Sequence, residues 1–166
     1  METIYFQNTT ELKKNLAKLE KSLNIKIELK GRQATLSGSG LEEYEAQIVL
    51  EAMAFGFSTT KALLLKNPDF IFRKIHIRDH TRKKSLKEVK ARIIGTKGKT
   101  LRTLENVSDA HLILKDNEVG IIAQAESIPE ITTALTNLIR GTKQSNVYHY
   151  LEKVNKTKKE EGLGIK

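Results

Sequence analysis

The stretch Ala91-Arg-Ile-Ile-Gly-Thr-Lys-Gly-Lys-Thr-Leu-Arg102 decides how the rest of the chain is read. Gly95 and Gly98 bracket two polar residues, with an apolar-periodic segment running into them and another running out. The pattern predicts helix, tight glycine loop, helix, with Lys97, Lys99 and Arg102 around the turn. Glycine lacks a Cβ, so the chain can turn sharply there and lie against another backbone. The helix after the loop presents free N–H groups and its positive dipole end to whatever docks, and a phosphate backbone suits that geometry. Two glycines at this spacing are also common in ordinary turns, so the plainer reading is a helix corner with exposed lysines.

Gly98-Lys99-Thr100 imitates the end of a nucleotide-binding P-loop. That motif needs a glycine five positions before the second Gly. Here that position is Ile93, inside an apolar helical run, which argues against a Walker-type NTPase.

Charge supplies the context. The net charge is +9. Residues 1–66 hold nine Lys/Arg against eight Asp/Glu, and residues 103–166 hold eight against nine. Residues 82–102 hold nine basic residues against Glu88 alone. The excess therefore surrounds the glycine loop, as a site for a polyanion would. An acidic lipid surface is disfavoured, because no strongly amphipathic helix with exposed large apolar residues accompanies the patch. With 166 residues, one ordinary or two small domains fit. No run of 18 apolar residues and no N-terminal basic-apolar-small signal is present, so a cytoplasmic protein is the default expectation. Without cysteine, thiol catalysis and Cys-based zinc sites are excluded.

Along the chain, Thr3–Phe6 reads as a strand. Asn8-Thr-Thr-Glu11 reads as a capping box opening a helix over 9–22. Ile25–Leu29 and Ala34–Leu36 alternate as a hairpin. Leu41–Phe55 is a helix stopped by Gly56, and Ser58 caps a shorter one to Lys66. Phe70–Arg78 is a strand, residues 79–84 a basic loop and Ser85–Ile94 a helix. The glycine loop and a helix to Val107 follow, then a hairpin around Asp116-Asn117. A helix runs from Ser127 to Arg140, Asn146–Val154 is a last helix, and 155–166 is a polar, frayed tail.

Shifted by 85 residues, the chain falls on itself. Lys14, Leu16, Leu19 and Glu20 meet Lys99, Leu101, Leu104 and Glu105, Leu29-Lys30 meets Leu114-Lys115, and Gly56 meets Gly141. A match at fixed offset points to duplication of a helix–hairpin–helix unit. The positions matching Gly95 and Gly98 are Thr10 and Lys13. Six residues separate Ile4 from Thr10, against 20 from Ile75 to Gly95, so the first copy lacks the leading helix and the glycine loop. Each copy is expected to be a small sheet with helices on one face, an α+β layer.

Strand, helix, GxxG, helix, strand, strand, helix over residues 70–141 resembles a type I KH domain, whose GxxG clamps about four nucleotides of single-stranded RNA or DNA. The likeness sharpens over residues 53–153. It is carried by Ala54-Phe-Gly-Phe-Ser58 with Lys61-Ala62-Leu63, Ile75-His-Ile-Arg-Asp79, Val89-Lys-Ala-Arg-Ile-Ile-Gly-Thr-Lys-Gly-Lys-Thr100, and Gly141 with Val147-Tyr148 and Leu151-Glu152-Lys153. Together these resemble the archaeal two-KH proteins of small-subunit ribosome assembly, similar to the eukaryotic "partner of Nob one" protein. The resemblance implies an α+β fold of two tandem type I KH-like modules. Residues 1–67 would be a degenerate module without GxxG, residues 68–142 the KH domain with it, and residues 143–166 a C-terminal helix and polar tail. It also implies binding to the 3′ region of small-subunit ribosomal RNA, with the Nob-one-type PIN endonuclease and the alpha subunit of translation initiation factor two as partners. Gly95, Thr96, Lys97 and Gly98 match the family's clamp; archaeal relatives often carry another Lys or Gly where Thr96 stands.

The expected grip is then specific. Gly95–Gly98 hold the backbone, and Lys97 and Lys99 supply charge. Lys90, Arg92 and Arg102 flank the track. Val89 and Ile93 floor a groove for bases, and His111 and Lys115 on the facing strand touch base edges or phosphate. Ile94, Leu101 and Leu104 read as core. His76 and His80, four apart around Asp79, invite a metal reading, but the segment leaves a strand and no further ligand cluster accompanies it. No cofactor, metal or catalytic cluster is expected. The competing expectation is a KH-based protein-interaction or translation-regulatory module in which RNA binding is secondary.

Overall fold

Alternating apolar residues pair into two separate three-stranded sheets, ordered β1-β3-β2 and β4-β6-β5. The computed structural model describes residues 1–164. Its contacts divide the chain into one unit of Met1–Phe72 and a second of Arg73–Lys166.

In the first unit, β1 (Glu2–Tyr5) leads into α1 (Thr10–Lys14) and α2 (Leu16–Leu23), then the hairpin β2 (Lys26–Lys30) and β3 (Gln33–Ser37), then α3 (Gly40–Phe55) and α4 (Thr59–Ala62). β3 pairs antiparallel with both neighbours, so Ile4 lies opposite Ala34 and Ile27 opposite Leu36. These side chains share the buried face with Leu12, Leu19, Leu50 and Phe57. Rings of Phe55, Phe57 and Phe72 close one side, with centroids 5.8–6.3 Å apart.

The helix expected over 9–22 is broken at Asn15, which is not helical. Its side-chain amide donates to the Glu11 carbonyl at 2.9 Å and to Glu11 Oε1 at 3.2 Å. The expected capping box does not form. Thr9 is the N-cap without a side-chain bond, and Asn8 Oδ1 accepts from the Thr10 amide instead. The Glu11 carboxylate turns to the start of α4, accepting from the Thr59 amide at 3.2 Å and the Thr59 hydroxyl at 3.1 Å. Those bonds, the amide first, hold its pKa below the ordinary value. Beyond α4, Leu63–Lys66 tightens to a 3-10 turn.

β4 (Phe70–His76), whose last four residues open the second unit, precedes α5 (Lys87–Ile94), α6 (Lys99–Ser108), β5 (His111–Lys115), β6 (Glu118–Gln124), α7 (Ile128–Arg140) and α8 (Gln144–Gly164). β4 stops two residues before the expected end, because Ile77 enters a 3-10 turn and its amide donates to the Asn117 carbonyl at 2.9 Å. α5 starts at Lys87 rather than Ser85, with Leu86 as its boundary residue.

The largest departure is α8. It begins at Gln144 and continues to Gly164, where a helix ending at Val154 and a frayed tail were expected. Val147 and Leu151 are buried, and polar anchors extend the packed stripe beyond them. Asn155 donates to the Val107 carbonyl in α6. The Lys158 ammonium reaches Glu130 Oε2 at 3.1 Å and Ser127 Oγ at 3.3 Å at the start of α7. Residues 165 and 166 of the expected tail lie outside the described residues.

The 85-residue offset recurs in the bonding. Glu20 Oε2 accepts from the Ile27 amide at 3.1 Å, and Glu105 Oε2 accepts from the Leu112 amide at 3.1 Å. Asn24 and Asp109 end α2 and α6 in the left-handed region, at φ 53° and 55°. Ile27 faces Leu36 as Leu112 faces Ile121. Strand order, helix cap and hairpin brace are one plan used twice.

Candidate nucleic-acid interface

The glycine loop is built by three left-sided dihedrals within four residues: φ is 75° at Gly95, 54° at Lys97 and 77° at Gly98. Gly95 also carries ψ 176°, a combination open essentially to glycine alone. It has no room for a side chain, because a Cβ there would stand 2.1 Å from Thr100 Oγ1 and 2.7 Å from the Thr100 amide nitrogen. Thr100 is buried beneath it. Gly98 is less constrained, its nearest neighbour being the guanidinium end of the Arg102 side chain, 3.2 Å from where a Cβ would stand. The Gly98 amide donates to the Gly95 carbonyl at 3.2 Å and closes the turn. Lys97, lacking glycine's freedom, sits in the left-handed region at a cost of about 1–2 kcal/mol. Strain of this kind is held where surrounding structure overdetermines it.

Thr96 and Lys97 in the loop, and Lys99 and Arg102 in the first turn of α6, are all exposed. The backbone can therefore be approached closely at Gly95 and Gly98 while cations stand on either side. That arrangement matches a phosphodiester chain in shape and charge.

Other expected contacts are placed differently. Val89 and Ile93 are buried, so they belong to the unit's core and cannot floor a groove. Ile94, expected in the core, is 38% exposed next to Gly95. The helix meets the core through Leu86, Val89 and Ile93, which leaves Ile94 facing outward at the mouth of the loop. Leu104 is buried as expected, and Leu101 is half-buried. Arg92 is half-buried, and its guanidinium donates to the Thr142 carbonyl at 2.6 Å. It thus ties the junction after α7 to the last turn of α5. Lys90 is half-buried on α5. His111 and Lys115 are half-buried and lie on the same face of β5 by strand alternation.

The tie at Arg92 adds residues that the sequence reading missed. Arg140 and Lys143 flank Gly141-Thr142, and both are exposed. They escaped notice because segment 103–166 is slightly acidic as a whole, and the packing that brings this junction to α5, where Arg92 meets Thr142 across 50 residues, is tertiary. His76 Nδ1 stands 3.6 Å from Glu118 Oε2 on β6, and among the described residues no three His, Asp or Glu gather as a metal site.

The family model for the second KH domain of PNO1, described as a eukaryotic type KH-domain (KH-domain type I), matches residues 71–156. A KH domain-containing protein of Methanocaldococcus jannaschii is 28% identical over 142 residues, covering 81% of this chain and 63% of that protein. The pre-rRNA-processing protein pno1 of Emericella nidulans is 29% identical over 150 residues, covering 86% of this chain and 57% of the relative. The chain thus spans about three-fifths of the length of the curated relatives it matches. A solved a/eIF2alpha-aDim2p-rRNA complex from Pyrococcus horikoshii OT3 contains a chain matching at TM-score 0.81 and 25% identity, with 94% of each chain covered. Because the family match takes in more than half of the chain, including the glycine loop, its flanking helices and the hairpin, the chain belongs to the type I KH-domain family in its PNO1 second-domain form.

Proposed function

We propose that this protein is a noncatalytic RNA-binding factor of small-subunit ribosomal RNA 3′-end maturation, gripping single-stranded RNA through Gly95–Gly98. The observation that carries the reading is the loop itself: a side-chain-free backbone at Gly95 and Gly98, flanked by exposed Thr96, Lys97, Lys99 and Arg102. In this reading Ile94 and Leu101 offer apolar surface to a base, replacing Val89 and Ile93 in that role. Residues 68–142 hold the RNA. Residues 1–67, whose charges nearly balance, space the grip or dock a protein. The initiation factor alpha subunit and a Nob-one-type endonuclease are the expected partners, and the cytoplasm the expected compartment. No helix among the described residues is long and apolar enough to cross a membrane.

The test is the double substitution Thr96→Asp/Lys97→Asp. Both side chains are exposed, so the thermal midpoint should stay put. Binding to RNA from the small-subunit 3′ end should fall at least 100-fold through charge repulsion. Unchanged RNA affinity would remove the loop from the binding site. Retained association with pre-ribosomal particles despite lost RNA affinity would favour the protein-interaction alternative.

A further inference from the structure

We propose that loop Arg82–Lys84 and the exposed stripe of α5 form a second phosphate track, holding nucleotides that flank those gripped at Gly95–Gly98. The proposal rests on the reading of the second unit as a single-strand RNA binder and extends its site.

α5 has two faces. Leu86, Val89 and Ile93 are buried, while Lys87, Ala91 and Ile94 are exposed and Lys90 is half-buried beside them. Residues 87, 90, 91 and 94 fall on one side of a helix. The stripe therefore runs from Lys87 to Ile94, whose neighbour is Gly95. At about 1.5 Å per residue, the start of α5 stands roughly 12 Å from the glycine loop. A ligand touching both ends must extend along the helix.

The far end is organised. Arg78 Nη1 donates to the carbonyls of Lys83 at 3.0 Å and Lys84 at 3.2 Å, and the Lys83 amide donates to Thr81 Oγ1 at 3.3 Å. The loop backbone is thereby held while Arg82, Lys83 and Lys84 are all exposed. Holding it in advance lowers the ordering cost of a contact. Residues 82–90 hold five cations, Arg82, Lys83, Lys84, Lys87 and Lys90, against Glu88 alone, itself exposed and 3.8 Å from Lys83 Nζ, with Asp79 three residues ahead of them. Cations repel one another and the positive end of a helix, so the arrangement costs folding free energy that a polyanion would recover. The first unit has nothing like it, since its connection from β1 to α1, Phe6–Thr9, is uncharged. Continuity with the glycine loop along one helix selects the same RNA strand over an acidic protein surface.

The experiment tiles the small-subunit rRNA 3′ end with four-nucleotide RNAs, takes the tightest binder, and lengthens it to ten nucleotides on its 5′ or its 3′ side. Wild type should bind one ten-mer at least tenfold tighter than the tetramer. Arg82→Ala/Lys83→Ala/Lys84→Ala keeps the carbonyls that Arg78 holds. It should erase that gain, leave tetramer affinity within twofold, and reduce the salt slope on the ten-mer by about 2, at roughly 0.7 per phosphate over three phosphates. The proposal fails if neither extension tightens wild-type binding, if the triple variant binds the ten-mer like wild type, or if it weakens both lengths equally. Tetramer binding that survives Thr96→Asp/Lys97→Asp overturns the glycine-loop reading, and with it the track as its extension.

Discussion

The two units share a frame and differ at its tip. Each braces its hairpin to the preceding helix with a glutamate, Glu20 or Glu105, bonded to a strand amide at 3.1 Å. Each ends that helix with one left-handed residue and orders its strands alike. At the other end of the same helix they part. Residues 95–98 form a strained loop open to a backbone, whereas the matching Thr10–Lys13 lie in α1. The braces stand where the helix enters the hairpin, away from the loop, so the frame survives without it. Framework and glycine loop are separable: both units carry the first, and only the second carries the loop.

The largest expected effect is Gly95→Ala. The φ/ψ pair and the Thr100 contact combine to cost about 3 kcal/mol, read as a lowered denaturation midpoint of the second unit. Thr10→Ala at the matching site should change stability by less than about 0.5 kcal/mol. Equal losses at the two sites would erase the contrast between loop and helix. Next come the braces. Glu20→Ala and Glu105→Ala should each cost about 2 kcal/mol, since each removes a carboxylate accepting from a backbone amide. Markedly unequal costs in chemical denaturation would break the claim of a shared frame. Third, Gly98→Ala should cost about 1 kcal/mol through its φ of 77°, while Lys13→Gly should cost about as much for the opposite reason, added backbone freedom in a helix. Lys13→Gly should confer no RNA binding on the first unit.

The smallest effect is on pH dependence. In the first unit Glu11 is held low by the Thr59 amide and then hydroxyl, and Glu42 by the Asn24 amide and then the Ser39 hydroxyl. A lowered pKa means that the contribution is present above the ordinary value of 4.5 and is lost as pH falls through the depressed folded values. Amide protection factors of the first unit, taken relative to intrinsic exchange at each pH, should therefore fall between pH 5 and pH 3, and Glu11→Gln should flatten that response. An unaltered response in Glu11→Gln would remove the bond to Thr59 from the account.

Much of this was legible in the chain. Gly95, Gly98 and the surrounding cations sit within one short segment, so local sequence carries both loop geometry and charge. The repeated frame was legible because strand alternation and helix period recur at a fixed offset. Three features were not. Hydropathy cannot follow a helix anchored by Asn155 and Lys158, so α8 was cut short at Val154. Ile93 and Ile94 are chemically identical, and 100° of helix rotation, set by what α5 packs against, decides which one is buried. Glu11 fits a capping box by spacing, yet its carboxylate is taken by Thr59, 48 residues away.

The sequence by itself determined the two α+β repeats, the presence of one glycine loop and the concentration of charge around it. These depend on local backbone freedom, short-period patterning and residue counts. Tertiary structure alone decided that Thr100 fills the space beneath Gly95, that Ile94 rather than Ile93 meets solvent, and that Arg92 is tied to Thr142. Each of these is a contact or an exposure set by how helices rotate and stack, which no local pattern encodes.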